Sequence, residues 1–384
     1  METSLIYSEP LSTAAQLCLS ALSQRSEDEE SAWRASAKEF GSDSLLEFAR
    51  EKGVFFALAE ALGEDADRET QASLQRNRER VHALLNLGQE VAQRLDAEGI
   101  QNAYFESGGV LCASALPEAA FGSSDIDLLV PPRDWEPALR LLREMGLRVR
   151  QRRAEGVNRV ELGREEGEHA LYLDVAKTPF ERMTAPLPFK DRSEVWLQGR
   201  VPSERFPGLC TLSPSVLLVQ VAIHTSLHQY VLAPGLRLHI DVERLARDVR
   251  IDWDMVLSEL ECVGLPTRAF ISLSMASELL GAQIPSRVLD ALAPDTRRSE
   301  AISRILSARG LLSETPRPFG AIESLRLDRL LDERTHLAWL QGLLWPESGW
   351  LRARLERDGA LAGPDVLLHV HRARRLLKRV LRAG

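Results

Sequence analysis

Ser123-Ser124-Asp125-Ile126-Asp127-Leu128-Leu129-Val130-Pro131-Pro132 is the stretch on which the reading of the fold turns. Ile126 to Val130 is a short run, apolar but for Asp127, that a double proline stops, so it reads as a strand. Side chains two apart on a strand share a face, which sets the carboxylates of Asp125 and Asp127 side by side. Like charges so close repel and raise one pKa. A divalent cation removes that conflict, because Mg²⁺ takes carboxylate oxygens together with substrate phosphates. The alternative on these residues alone is a surface turn with two solvated aspartates.

Upstream, Asn102 to Glu106 reads as a strand, Gly108-Gly109 as its turn and Val110 to Leu116 as a short helix. Backbone without Cβ at such a turn can approach a phosphate, and the N–H groups of the helix can receive it. Downstream, Asp134 caps a helix whose stripe is Trp135, Ala138, Leu139, Leu142 and Met145, with Gly146 at its end. Leu147 to Arg150, Val157 to Leu162 and His169 to Val175 supply three further strands. Within the last, Asp174 is a lone acid in an apolar run, costly to bury unless paired or metal-bound.

Farther out, the periodicity is helical from Thr13 to Ala97, with Leu74, Val81, Leu84, Leu85, Leu87, Val91 and Leu95 forming one face of a long helix. Glu27 to Glu30 is expected as a solvated acidic loop. Beyond Pro179 the chain reads as irregular until Ser213-Pro214, a helix start signal after which helical patterning persists. The expected fold class is therefore α+β: a helical region over 1–98, a small mixed-sheet α/β core over 99–200 and an all-α domain over 201–384.

A net charge of −8 argues against general attraction to nucleic acid, which needs a basic footprint. The four cysteines are scattered with no CxxC pair, which suggests neither a zinc site nor a disulfide framework. Neither a secretory signal nor an apolar stretch long enough to span a bilayer is evident, and a cytoplasmic location is expected. The basic segment over 366–384 is a candidate amphipathic helix for an anionic membrane, an acidic partner or the protein's own surface.

The turn, the DxD and the acid on a later strand together resemble the nucleotidyltransferase superfamily pattern. More specifically, Ser107-Gly108-Gly109-Val110-Leu111, Asp125 to Val130, Leu212-Ser213-Pro214, Ile223-His224 with His228, and Ile240-Asp241 with Leu245 resemble a family of uncharacterised bacterial nucleotidyltransferases, often found near peptide and natural-product biosynthesis genes. The resemblance implies that Asp125, Asp127 and Asp174 hold two Mg²⁺ ions, with Asp174 also activating the attacking hydroxyl. Ser107 stands where the family usually has lysine, and Phe121-Gly122-Ser123-Ser124 lacks its usual arginine.

His224 and His228 have the spacing of two metal ligands on a helix, but no HExxH glutamate lies between them. His224 is expected to pack against the cleft beside a neighbour such as Asp241. Asp241 itself reads either as a cleft residue or as a helix cap, and the resemblance favours the cleft. The expected activity is Mg²⁺-dependent transfer of a nucleoside monophosphate from an NTP to a hydroxyl or phosphate of a small molecule or modified peptide. Gly108, Gly109, Ser123, Ser124, His224 and Asp241 would bind the nucleotide. The alternatives are sugar or phosphate transfer from a nucleotide donor at the same metal site, and a silent nucleotide- or peptide-binding member.

Overall fold

The computed structural model describes residues 11–23, 27–114, 116–150, 158–166, 169–181, 187–307, 311–312 and 319–346, together with 351, 369 and 374. Seven strands form one mixed sheet: β1 (Ala103–Phe105), β2 (Asp125–Leu129), β3 (Arg148–Val149), β4 (Arg159–Glu166), β5 (His169–Ala176), β6 (Val201–Pro202) and β7 (Cys210–Thr211). Their spatial order is β3-β4-β5-β2-β1-β7-β6. β2 lies at the centre, antiparallel to β1 and parallel to β5.

The period of two along β2 divides the sheet chemically. Ile126 and Leu128, with Tyr104, Val160, Leu162, Leu171, Leu173 and Val175, pack against the Arg68–Ala97 and Trp135–Glu144 helices. The Arg68–Ala97 helix starts where the Asp67 carboxylate accepts the N–H of Thr70 at 2.7 Å. On the opposite face Ala103, Phe105, Leu129 and Ala176 pack against the Pro214–Leu227 helix. That helix is buried from Pro214 to Ser226, which explains why its sequence is apolar nearly all round. Asp125, Asp127 and Asp174 belong to this second face.

A third apolar cluster joins residues far apart in sequence: Ala15, Leu45, Leu58 and Leu74 pack with Tyr230, Ile240, Met275, Ile302 and Leu327. The helical N-terminal stretch and the helical second half thus contribute to one core.

Three local expectations change. Gly108 and Gly109 lie inside the Glu106–Ala113 helix rather than in a turn ahead of it. The reason is packing, since a Cβ at Gly109 would stand 2.9 Å from both Leu217 Cδ1 and the Tyr104 carbonyl oxygen. Glu27 to Glu30 open the Glu27–Phe40 helix instead of forming a loop, because Trp33 and Ala37 on that helix are buried. An ion pair of 2.8 Å between Glu30 and Arg34 supports its exposed side. The irregular segment after Pro179 contains the Ser193–Gln198 helix and the two-residue strands β6 and β7, too short for any periodicity to reveal. The basic stretch over 366–384 lies almost entirely outside the described residues, of whose helices none is long and apolar enough to cross a membrane.

Candidate active site

The site is built where two neighbouring strands bring acids to one face. Asp127 on β2 stands in register with Asp174 on the parallel strand β5, and Asp125 precedes Asp127 by two residues on the same face. Asp127 is 5% and Asp174 7% exposed, so both carboxylates lack the solvation that ordinarily keeps them charged. Ser123 Oγ donates to Asp125 Oδ1 at 2.7 Å and so turns the more open carboxylate towards its own strand.

Two residues that no motif singled out complete the cluster. Glu106 is the first residue of the Glu106–Ala113 helix and adopts φ +52°, a region costly for a side chain other than glycine. Its N–H donates to Gln220 Oε1 at 3.2 Å, and its carboxylate stands 3.1 Å from His224 Nδ1. Arg159 on β4 then crosses to all three acids: Nη1 donates to Glu106 Oε1 at 2.8 Å, Nη2 pairs with Asp127 Oδ1, and Nε lies 2.8 Å from Asp174 Oδ2. The last contact is close but lacks the alignment of a hydrogen bond. Arg159 was legible only as a polar residue in the alternation Arg159, Glu161, Gly163 along β4. Glu106 carried no sequence signal at all.

The electrostatics follow from burial first. Burial raises the Asp127 pKa well above the carboxylate range, and the Glu106 charge adds to that. Asp174 is pushed by burial to about 6, although Arg159 opposes the shift. Glu106 behaves oppositely: burial disfavours its charge, but Arg159 and His224 hold it below the usual range. One guanidinium thus serves three buried carboxylates.

The other expected residues fall around this cluster. Ser107, in the same first turn, donates to Asp241 Oδ2 at 2.8 Å. Asp241 sits inside the Leu236–Ala246 helix, so it is no helix cap, and the partner of His224 is Glu106 rather than Asp241. Burial raises the Asp241 pKa, with Arg237 and Arg244 opposing. Ser124 is exposed at the mouth of the strand. His228 turns to the Ala233 carbonyl, with Nδ1 at 2.6 Å, and its ring centroid lies 5.0 Å from that of His224.

Among the described residues no group of three or more His, Cys, Asp or Glu side chains stands in ligating arrangement; the acids converge on Arg159 instead. The donor set nevertheless has the chemistry of a Mg²⁺ site, with three carboxylates on one sheet face, and Asp174 Oδ1 is buried without a hydrogen-bond partner. Carboxylates of this kind suit a hard divalent cation, and in this structure Arg159 stands at Asp127 and Asp174.

A comparison with curated proteins finds no match. A family model described as an uncharacterised nucleotidyltransferase matches residues 38–281, a span that takes in all seven strands, the acid cluster and the helices carrying His224 and Asp241. By the sheet, the acids on it and this match, the chain belongs to the uncharacterised nucleotidyltransferase family.

Proposed function

We propose that this protein is a Mg²⁺-dependent enzyme that transfers a nucleoside monophosphate from an NTP to a hydroxyl or phosphate group of a small molecule or modified peptide. Family membership supports the reaction class. The observation that carries the site is the pairing of Asp127 with Asp174 across parallel strands, with Asp125 on the same face.

Asp125 and Asp127 are the residues to hold Mg²⁺, and Asp174 completes the set; the ion, when bound, neutralises charge on the triphosphate. The acceptor oxygen bonds to the α-phosphorus as the bond to pyrophosphate breaks, and Asp174 takes the proton. Gly108, Gly109 and Ser123 flank the acids, where first-turn N–H groups and a hydroxyl can face phosphate oxygens. A tailoring role in natural-product biosynthesis follows from the resemblance noted above.

One observation favours the silent alternative, a member that binds a nucleotide or peptide without turnover: Arg159 already supplies a cation to Asp127 and Asp174. The two readings separate by assay. Wild-type protein with Mg²⁺, each NTP and cell extract is expected to release pyrophosphate and add a nucleotide's mass to an acceptor. Asp174→Ala should turn over roughly 10²–10⁴-fold more slowly with nucleotide affinity little changed. Equal turnover would remove Asp174 from the mechanism, and inactivity of the wild type with every donor would leave the silent reading.

A further inference from the structure

We propose that Arg80 and Arg237 form a polyphosphate-binding subsite against the loop that runs from Phe121 into Asp125. The two arginines come from two helices that meet that loop, and each keeps a buried guanidinium N–H without a hydrogen-bond partner: Nη1 of Arg80 and Nε of Arg237. A buried donor left unsatisfied costs free energy, more so when charged, so two at one place point to an acceptor supplied from outside the chain.

Arg80 is positioned rather than loosely tethered. Asn77, one turn earlier on the same helix and 4% exposed, accepts from Arg80 Nε at 3.2 Å and from Nη2 at 2.7 Å. The amide of Asn77 donates to the carbonyls of Ala119 and Phe121 at 2.8 and 3.0 Å. One buried side chain thus fixes both the loop and the guanidinium beside it. Arg237 lies in the first turn of the Leu236–Ala246 helix. A Cβ at Gly122 would stand 3.4 Å from Arg237 Cδ, so the bare backbone of the loop runs against the arginine stem.

The charges are poorly balanced as they stand. Burial disfavours the charged form of Arg80, Asp125 supports it and Arg237 opposes it. Arg237 has Asp241 within electrostatic reach, but Asp241 Oδ2 accepts from Ser107 and its Oδ1 lies 3.9 Å from Arg244. Two guanidiniums held near one another call for a ligand with more than one negative centre, and planar N–H forks match phosphate oxygens. A monocarboxylate would answer only one of them. A polyphosphate chain lying along Gly122 and Ser123 answers both and ends beside Asp125, where the proposed reaction needs the triphosphate. Assignment of the anion to a nucleotide rests on the function proposed above; the anion subsite itself does not.

The test is calorimetric titration of tripolyphosphate in metal-free buffer, and separately of ATP with Mg²⁺, into wild type, Arg80→Gln, Arg237→Gln and the surface control Arg133→Gln. Tripolyphosphate should bind wild type and the control alike, and each of the two variants roughly tenfold or more weakly. The affinity should fall with salt. If either glutamine variant melts early, the corresponding lysine variant, which keeps the charge but loses the fork, should show an intermediate loss. No tripolyphosphate binding by wild type, or equal binding by folded Arg80 and Arg237 variants, would overturn the subsite. Tripolyphosphate binding that depends on both arginines, without any binding of Mg²⁺-ATP, would keep the subsite and remove the nucleotidyltransfer reading.

Discussion

Arg159 is the residue on which the charge balance of the polar sheet face depends, since Glu106, Asp127 and Asp174 all meet it. Removing one member of a buried ion cluster strands the others, typically at roughly 3–5 kcal/mol. Arg159→Met should therefore lower stability by about that amount in chemical denaturation without added metal. Mg²⁺ should restore more stability to this variant than it adds to wild type, because no guanidinium competes for Asp127 and Asp174; equal metal stabilisation of both proteins would show that Arg159 does not occupy a cation position. Gly109 is decisive for a different reason. A methyl group there meets the Tyr104 backbone oxygen, which cannot rotate away, so Gly109→Ala should cost about 1–3 kcal/mol. Thermal unfolding would measure it. A loss of nucleotide affinity in folded Gly109→Ala would add a phosphate-facing role to the packing one.

The Leu236–Ala246 helix buries three ionisable side chains, His239, Asp241 and Glu243. His239 is pushed down to about 4 by burial and stays neutral, with Nε2 at 2.7 Å from the Tyr230 carbonyl. Burial raises Glu243 to about 7, with Arg247 opposing. A carboxyl whose folded pKa is raised contributes most stability when protonated, below its ordinary value near 4.5, and loses that contribution as pH rises through about 7. Glu243→Gln should consequently stabilise the protein at pH 8, on the order of 1–3 kcal/mol, and the gain should fade as pH drops from 7 towards 4.5. Melting curves across that range would check it, and a pH-independent gain would mean that Glu243 is not the titrating group.

At the scale of the whole molecule, the cluster that joins the N-terminal helices to Tyr230, Ile240, Met275 and Leu327 makes the helical stretches interdependent. A chain beginning at residue 67 would expose Tyr230, Leu236, Ile240 and Ile271, each buried by this packing. It should express as aggregate or lack a cooperative melting transition, whereas a stable, two-state truncated protein would show that the sheet and second half suffice. The Arg268–Asp328 ion pair acts across the same half. At 2.8 Å, with the side chains 2% and 8% exposed, it ties the Pro266–Leu280 helix to the Ala321–Leu330 helix. Asp328→Ala should cost roughly 3–5 kcal/mol by leaving Arg268 charged and unpaired. Removing both partners together, as Arg268→Met with Asp328→Leu, should cost less than that single change; a larger cost would mean that the pair adds stability of its own.

What the residues determined unaided was whatever a local period can encode. The alternation through Asp125, Ile126, Asp127 and Leu128 places two acids on one face of a strand, and the three- and four-residue steps from Leu74 to Leu95 make the long helix that covers the other. Both survive because burial of an apolar stripe and the geometry of the backbone act over a few residues. Asp174 was legible as an odd acid in an apolar run, but its register with Asp127 depends on which strands become neighbours. Only tertiary structure decided that Arg159 lies among the acids, that Gly108 and Gly109 serve helix packing, that Glu106 turns inward beside His224, and that Arg80 and Arg237 meet one loop. Those are contacts between residues tens to hundreds of positions apart, set by sheet order and by the fit of helices onto it, and no local pattern carries them.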